Sequence, residues 1–314
     1  MSATEEHELD LLVHRMTWEA EGVLSVELVH PDGKPLPAWT PGAHLDLHVG
    51  GTIRQYSLCG DPADTGVYRL GILDAPSSRG GSRFVHTKLR PGRTVRVAGP
   101  RNHFALEPAA SYVFVAGGIG ITPILAMARQ AQHDGIPYRL THGGRSRASM
   151  AFGGELAALG GEVTLVPQDE QGHIDLPGAL EGLRPDALVY CCGPEPLLKA
   201  VEEAVPEGQL RIERFAAPAV ERRGDDSAFQ VECRTSGVTL TVGPDTSILQ
   251  AAENAGLSVN SSCRDGICGS CETRILAGTP DHRDFLLSEA ERATSETMMI
   301  CVSRCASDRL VLDL

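Results

Sequence analysis

Apolar and polar residues alternate over short stretches in the first third of the chain: GVLSVELVH at 22–30, HLDLHV at 44–49, TIRQYSLCG at 52–60, VYRLGIL at 67–73 and TVRVAGP at 94–100. Alternation with period two marks strands with one buried face, and the Pro-Gly, Gly-Gly and Asp-Pro pairs between them mark turns. Short strands at regular spacing predict a small antiparallel β-barrel over 1–106. One helix is expected inside it, over 82–89, where Phe84, Val85 and Leu89 give a partly apolar face.

Beyond residue 107 the period changes. YVFVAGG at 112–118 is a continuous apolar run entering a glycine turn, and Thr122 and Pro123 open a helix that continues to 132. Strands are expected at 138–142, 162–167, 187–192 and 209–215, with helices at 150–159 and 196–205 between them. Apolar strands alternating with helices predict a parallel sheet covered on both faces, an α/β domain over 107–217. The stretch 218–228 is polar, charged and without periodicity, and is expected to be a linker. The remainder, 229–314, opens with a hairpin-like run, FQVECRTSGVTLTVGP. An amphipathic helix at 247–256, a cysteine-rich loop and the strands CETRILAG and LVLDL follow, an α+β arrangement.

Composition narrows the possibilities. The chain has 314 residues, 42% hydrophobic and 22% charged, which suits a soluble protein of two or three domains. A net charge of −13 argues against nucleic acid, whose phosphates demand clustered Lys and Arg. The most apolar stretch, 112–128, is interrupted by glycines and a proline and falls short of the ~20 residues a membrane span requires. The acidic, polar start is unlike a signal peptide, and the cysteines form no small-domain disulfide framework. A cytoplasmic monomer is expected, with no membrane or nucleic-acid partner.

Cys263, Cys268 and Cys271 follow a C-x4-C-x2-C spacing, the plant-type pattern for a 2Fe–2S cluster, with a fourth ligand arriving later in the chain. Gly266, Gly269, Ser261, Ser262 and Ser270 are small enough for the loop to wrap a cluster and aim backbone N–H groups at sulfur. Cys301 is preferred as the fourth ligand because it directly follows the apolar run MMI; Cys305 is the rival. A structural zinc site is the alternative, but zinc favours paired C-x2-C knuckles, and only one is present. Such a cluster carries one electron at about −400 mV.

Two further sets of residues bear on cofactors. Arg54, Tyr56 and Ser57 end a barrel strand and offer a cation, a flat wall and a hydroxyl donor, as a flavin requires. Arg79, Gly80, Gly81 and Ser82 begin a helix where backbone N–H groups can meet a phosphate. Each alone fits an ordinary strand or turn; together, beside a nucleotide domain, they favour flavin. Gly117, Gly118 and Gly120 join a strand to a helix, where a dinucleotide pyrophosphate sits, although they depart from the G-x-G-x-x-G fingerprint. Cys192, Gly193 and Pro194 end a later strand at the same edge.

Taken in order, RQYS with RGGS, GGIGITP with CCGPEP, and CRDGICGSC with CVSR resemble the phthalate dioxygenase reductase family, which includes vanillate demethylase reductases, over essentially the whole chain. The resemblance implies an FMN-binding barrel, an NAD domain of the ferredoxin reductase kind and a β-grasp ferredoxin domain. It implies that Arg54, Tyr56 and Ser57 hold the isoalloxazine and ribityl chain, that Gly80, Gly81 and Ser82 hold the FMN phosphate, and that Thr122 and Phe215 approach the ring. Gly117, Gly118, Gly120, Cys192, Gly193 and Pro194 would bind the nicotinamide nucleotide, and Cys263, Cys268, Cys271 and Cys301 the iron. A hydride would pass from NAD(P)H to flavin and single electrons through the cluster to a terminal oxygenase, either Rieske non-haem iron or haem-thiolate. NADH is the family's usual donor, but Arg145 and Arg147 follow the second strand of the nucleotide domain and could accept the 2′-phosphate of NADPH.

Overall fold

The computed structural model describes residues 7–75, 80–218 and 226–314. These form two compact units, Met1–Phe215 and Ala216–Leu314.

The first unit begins with strands β1 (Glu8–Ala20), β2 (Val23–Val29), β3 (Ala43–Val49), β4 (Thr52–Ser57) and β5 (Tyr68–Leu73). Helix α1 (Gly81–Thr87) and β6 (Thr94–Asn102) follow. The strand order is β4-β3-β6-β1-β2-β5, all antiparallel, and a bridge from Leu58 to Leu70 brings the end of β4 back to β5, closing a barrel. Leu11, Val13, Val26, Leu45, Leu47, Tyr68, Leu70 and Val97 fill its interior.

The thirteen-residue β1 was not expected from the pattern. Its register on β2 shifts between Val13 and Arg15 and again between Trp18 and Ala20. Each bulge inserts a residue and reverses the in–out alternation, so the strand carries no continuous period-two signal.

The same unit continues with β7 (Ser111–Gly117), α2 (Ile121–His133), β8 (Tyr138–Gly144), α3 (Gly153–Ala158) and β9 (Glu162–Pro167). Two one-turn helices, α4 (Gln168–Gln171) and α5 (Leu176–Ala179), lead to β10 (Ala187–Cys192), α6 (Glu195–Ala204) and β11 (Leu210–Glu213). These five strands pair in parallel in the order β11-β10-β7-β8-β9. Both faces are covered, which explains the unbroken apolar runs: Tyr112, Phe114 and Tyr190 face the side of α2, while Val113, Val115, Val189 and Cys191 face α6. Helix α3 starts at Gly153, later than the pattern suggests, because Phe152 adopts a left-handed conformation (φ 61°) and lays its ring under the Arg69 guanidinium, 5.0 Å away.

The boundary expected at 106/107 is a change of sheet and not a break in packing. Ala20, Val23, Cys59 and Phe104 share one core with Phe114, Ile124, Phe152 and Tyr190. An ion-pair chain crosses the same seam: Arg69 bridges Glu19 (2.7 Å) and Glu155 (2.8 Å), and Arg129 joins Glu155 while donating to the Cys59 carbonyl (2.5 Å).

Most of the linker expected at 218–228 lies outside the described residues. Its end belongs to the second unit, since Asp226 pairs with Arg283 at 2.5 Å. That unit comprises β12 (Phe229–Cys233), β13 (Val238–Val242), α7 (Ile248–Asn254), β14 (Glu272–Ala277), β15 (Pro280–Asp281), α8 (Glu289–Thr294), β16 (Thr297–Met299), β17 (Arg304–Cys305) and β18 (Arg309–Leu312). The mixed sheet β13-β12-β18-β14-β16 has a parallel central pair, β12 with β18, and α7 packs on it through Ile248, Leu249 and Ala252. This is the β-grasp arrangement. Among the described residues no helix is long and apolar enough to cross a membrane.

Candidate functional site

In the parallel sheet the chain runs outward from β7 to β8 and β9, then returns to place β10 on the other side of β7. The reversal opens a crevice at the carboxyl ends of β7 and β10, where open α/β sheets bind ligands. Gly117 and Cys192 stand at those two strand ends.

Their turns touch along the backbone. A Cβ on Gly120 would lie 2.2 Å from the Cys192 carbonyl oxygen, one on Gly117 2.6 Å from Pro194 Cδ, and one on Gly193 3.0 Å from the Gly117 nitrogen. The two motifs noted in the sequence therefore form one edge of glycine backbone, flanked by Pro194 and Leu197 and suited to close approach by a pyrophosphate or a flat ring. Gly118 takes a positive φ (55°), and its carbonyl accepts a 3.1 Å bond from His142 Nε2. Burial lowers the His142 pKa to about 4, so this imidazole is neutral and donates.

Gly120→Ala tests the contact. The new methyl meets the Cys192–Gly193 peptide, with a cost of about 1–3 kcal/mol. A lowered thermal midpoint together with a raised KM for the nicotinamide nucleotide is expected; unchanged values of both would show that the turns can part.

The barrel brings its own motif to the same unit. Arg54, Tyr56 and Ser57 lie on β4, with Arg54 and Tyr56 half-buried and Ser57 buried. Burial raises the Tyr56 phenol to about 12, so it stays protonated. Helix α1 begins directly beside the strand: a Cβ on Gly81 would sit 2.4 Å from Arg54 Cγ. Arg54 thus lies across the start of α1, next to Gly80 (φ 104°) and the buried Ser82. Arg79 lies outside the described residues. Thr122 is buried; its hydroxyl donates to the Ile119 carbonyl (2.9 Å), and a Cβ on Gly71 of β5 would stand 2.6 Å from its methyl. It supports the seam between barrel and sheet. Phe215, just past β11, is 43% exposed, unusual for so large an apolar side chain.

The sequence reading missed Glu213. Parallel pairing of β10 with β11 sets it opposite Cys192. Its Oε2 accepts from Ser57 Oγ at 3.4 Å and lies 3.9 Å from Cys192 Sγ. Burial raises the Glu213 pKa to about 8, only partly offset by the Ser57 hydroxyl. Burial also lifts the Cys192 thiol well above its usual value, with the Glu213 carboxyl adding to the shift. Near neutral pH both groups hold their protons. With Ser57 and Cys192 both directed at Oε2, the carboxyl proton belongs on Oε1. The serine of the barrel motif and the cysteine of the nucleotide turn converge on one uncharged acid.

Arg145 and Arg147 follow β8 and are exposed. Arg147 is not available as it stands: its guanidinium bonds Glu170 of α4 at 2.9 Å.

In the second unit, Cys263, Cys268, Cys271 and Cys301 are all buried. Cys263 meets both Cys268 and Cys301, and Cys271 meets Cys301. Among the described residues no group of three or more His, Cys, Asp or Glu has the arrangement of a single-ion metal site; the four thiols touch in a chain, Cys268–Cys263–Cys301–Cys271. Contacts from Cys268 and Cys301, and then backbone N–H groups of Asp265 and Ile267, pull the Cys263 thiol far below its usual value. The loop turns through positive φ at Arg264 (60°), Gly266 (73°) and Gly269 (76°), and Ser270 Oγ accepts from the Ser262 nitrogen at 2.9 Å. Buried thiols fed by N–H donors fit an iron–sulfur cluster. Cys305 is half-buried and its thiol donates to the Ser307 carbonyl at 2.8 Å.

Known proteins share these domains. The "2Fe-2S iron-sulfur cluster binding domain" family matches residues 231–306, and the "Oxidoreductase NAD-binding domain" family matches 114–203. Phenoxybenzoate dioxygenase subunit beta of Ectopseudomonas oleovorans is 41% identical over 98% of this chain and 97% of its own. The solved phthalate dioxygenase reductase, described as a modular structure for electron transfer from pyridine nucleotides to [2Fe-2S], superposes with a TM-score of 0.71 at 35% identity, covering 98% of both chains. The chain belongs to the phthalate dioxygenase reductase family. It is an NAD(P)H-dependent iron–sulfur flavoprotein that uses FMN, the electron-transfer reductase of an oxygenase system. An intact type IV self-sufficient cytochrome P-450 monooxygenase also matches, with a TM-score of 0.91 and 43% identity over 98% of this chain. The chain spans only 41% of that protein's length.

Proposed function

We propose that this cytoplasmic, monomeric reductase takes hydride from NADH and delivers single electrons to a separate Rieske-type oxygenase or demethylase. The observation that carries the reading is the convergence of Ser57 and Cys192 on Glu213, which joins the flavin motif of the barrel to the nucleotide turn of the sheet. FMN, when bound, accepts the two-electron hydride and gives up its electrons one at a time.

The residues supply position and electrostatics. Arg54 and the Gly80–Gly81–Ser82 start of α1 would hold the FMN phosphate, where a cation and the start of a helix stand together. Half-buried Tyr56 would wall the ring, and exposed Phe215 would offer it a second flat apolar surface. Ser57, whose hydroxyl proton goes to Glu213, would stand at the reacting edge with its oxygen lone pairs free to accept. Cys192, kept as a thiol by burial, stands where the nicotinamide enters without adding charge to the hydride path. The Gly117–Gly118–Gly120 and Gly193–Pro194 backbone receives the dinucleotide. Cys263, Cys268, Cys271 and Cys301 would ligate the two irons.

The acidic balance of the ferredoxin segment suits docking to a basic patch on the partner. A second reading, a haem-thiolate acceptor, is favoured by the likeness to the self-sufficient monooxygenase, which carries its own haem protein in one chain. Turnover of NADH and NADPH, measured with purified Rieske and haem-thiolate oxygenases side by side, tests both. The expected preparation is red-brown, with about two irons per chain and FMN released on heating. Preferential reduction of the haem partner would replace the first reading with the second.

A further inference from the structure

The nucleotide preference has a physical seat at the carboxyl edge of β8 and β9. The second strand of a nucleotide-binding unit presents the groups that meet the adenosine ribose: an acid for a free 2′-hydroxyl, or an arginine for a 2′-phosphate. Here β8 is followed by Arg145 and Arg147, and nothing acidic stands in that loop. The acid comes from the neighbouring strand instead. Helix α4, directly after β9, carries Asp169 and Glu170.

Three contacts hold the arrangement. Asp169 donates its backbone N–H to the Arg145 carbonyl at 3.1 Å, tying the two loops together. Ser146 and Ser149 close a reciprocal capping box that fixes the turn presenting Arg147. Arg147 then grips Glu170 with two nitrogens, Nη2 to Oε2 at 2.9 Å and Nε to Oε1 at 3.4 Å. The two cations and two anions of this edge cancel. A bridge this exposed, 58% and 48% for the two side chains, contributes little to stability.

We propose that Glu170 sets the coenzyme preference, by occupying Arg147 and presenting a carboxylate to the ribose, so that the site takes NADH and turns NADPH away. This rests on the nucleotide reading given above. To accept a 2′-phosphate, Arg147 would have to leave Glu170 unpaired beside a group of like charge. Binding of NADPH therefore pays for breaking the bridge and for the repulsion that follows.

The test uses the intact holoprotein and two adenosine fragments, 5′-AMP and 2′,5′-ADP, titrated by calorimetry, alongside kcat/KM for NADH and NADPH. Glu170→Gln is expected to tighten 2′,5′-ADP by roughly tenfold, the scale of one charge-assisted contact, and to raise the NADPH/NADH ratio of kcat/KM in step. Adding Arg147→Ala to Glu170→Gln should cancel the gain, and Arg145→Ala in that background should not. Unchanged affinity for 2′,5′-ADP in Glu170→Gln overturns the assignment, as does a gain that survives loss of Arg147. Wild-type protein that reduces its flavin with neither nucleotide would take down the nucleotide reading and this assignment together.

Discussion

Cys268→Ser leaves the flavin reducible by NAD(P)H but stops delivery of electrons to any one-electron acceptor. Cys268 is buried, touches Cys263, and stands 3.1 Å from Ser270 Oγ. A serine there removes one of four thiolates and replaces a soft ligand with a hard, weakly acidic one. Cys305, the rival fourth ligand, is turned away to donate to the Ser307 carbonyl. Iron content should fall from about two per chain to background, and the red-brown colour with it. Flavin reduction survives because the nucleotide crevice and the Arg54–Gly81 contact belong to a unit with its own core. Iron analysis, flavin bleaching by NADH and cytochrome c reduction read the three outcomes separately. Cys305→Ser is the control and should keep its iron. Retained iron in Cys268→Ser, or lost iron in Cys305→Ser, would mean that the ligand set is wrong.

What the sequence disclosed, and what it hid, follows from range. The cysteine spacing, the glycine turns and the parallel-sheet periodicity are local, and each is visible within a few residues. The pair of half-motifs in the nucleotide turn was visible only as two separate turns; that a Cβ on Gly120 would strike the Cys192 carbonyl depends on β7 and β10 being neighbours. Glu213 was hidden more deeply. Its importance comes from the register of β11 on β10 and from a hydroxyl 156 positions earlier in the chain. The acid looked like one more charge in a run of Arg and Glu. Helix α8 is a different case, since Ser288 and Glu291 form a reciprocal capping box, and the Ser-x-x-Glu pattern announces such a start. There the information was local, and only an apolar run long enough to draw attention was missing.

Glu213→Ala should slow flavin reduction by roughly 10²-fold, the penalty for a small misplacement of reacting groups, while Glu213→Gln should stay within a few-fold of the parent. The acid acts through its neighbours: it positions Ser57 and Cys192 through one oxygen. Glutamine keeps an acceptor at that point and carries no charge, as the protonated acid does. Alanine leaves a buried hydroxyl and a buried thiol without their partner. Stopped-flow absorbance at saturating NADH separates this loss from a change in KM, which should be minor. Stability gives a second, independent readout. The carboxyl has a folded pKa of about 8 against an ordinary value of 4.5. Between those limits the folded chain holds one more proton than the unfolded chain, so stability falls as pH rises through that window. The loss is complete above about pH 8, where the buried group must ionise, and absent below the ordinary value. Glu213→Gln has no such proton to lose. Its thermal midpoint should match the parent at the acid end and exceed it increasingly toward the alkaline end. Parallel midpoint curves across the window would show that Glu213 is already ionised in the fold, and an alanine variant as fast as the glutamine one would reduce the residue to packing.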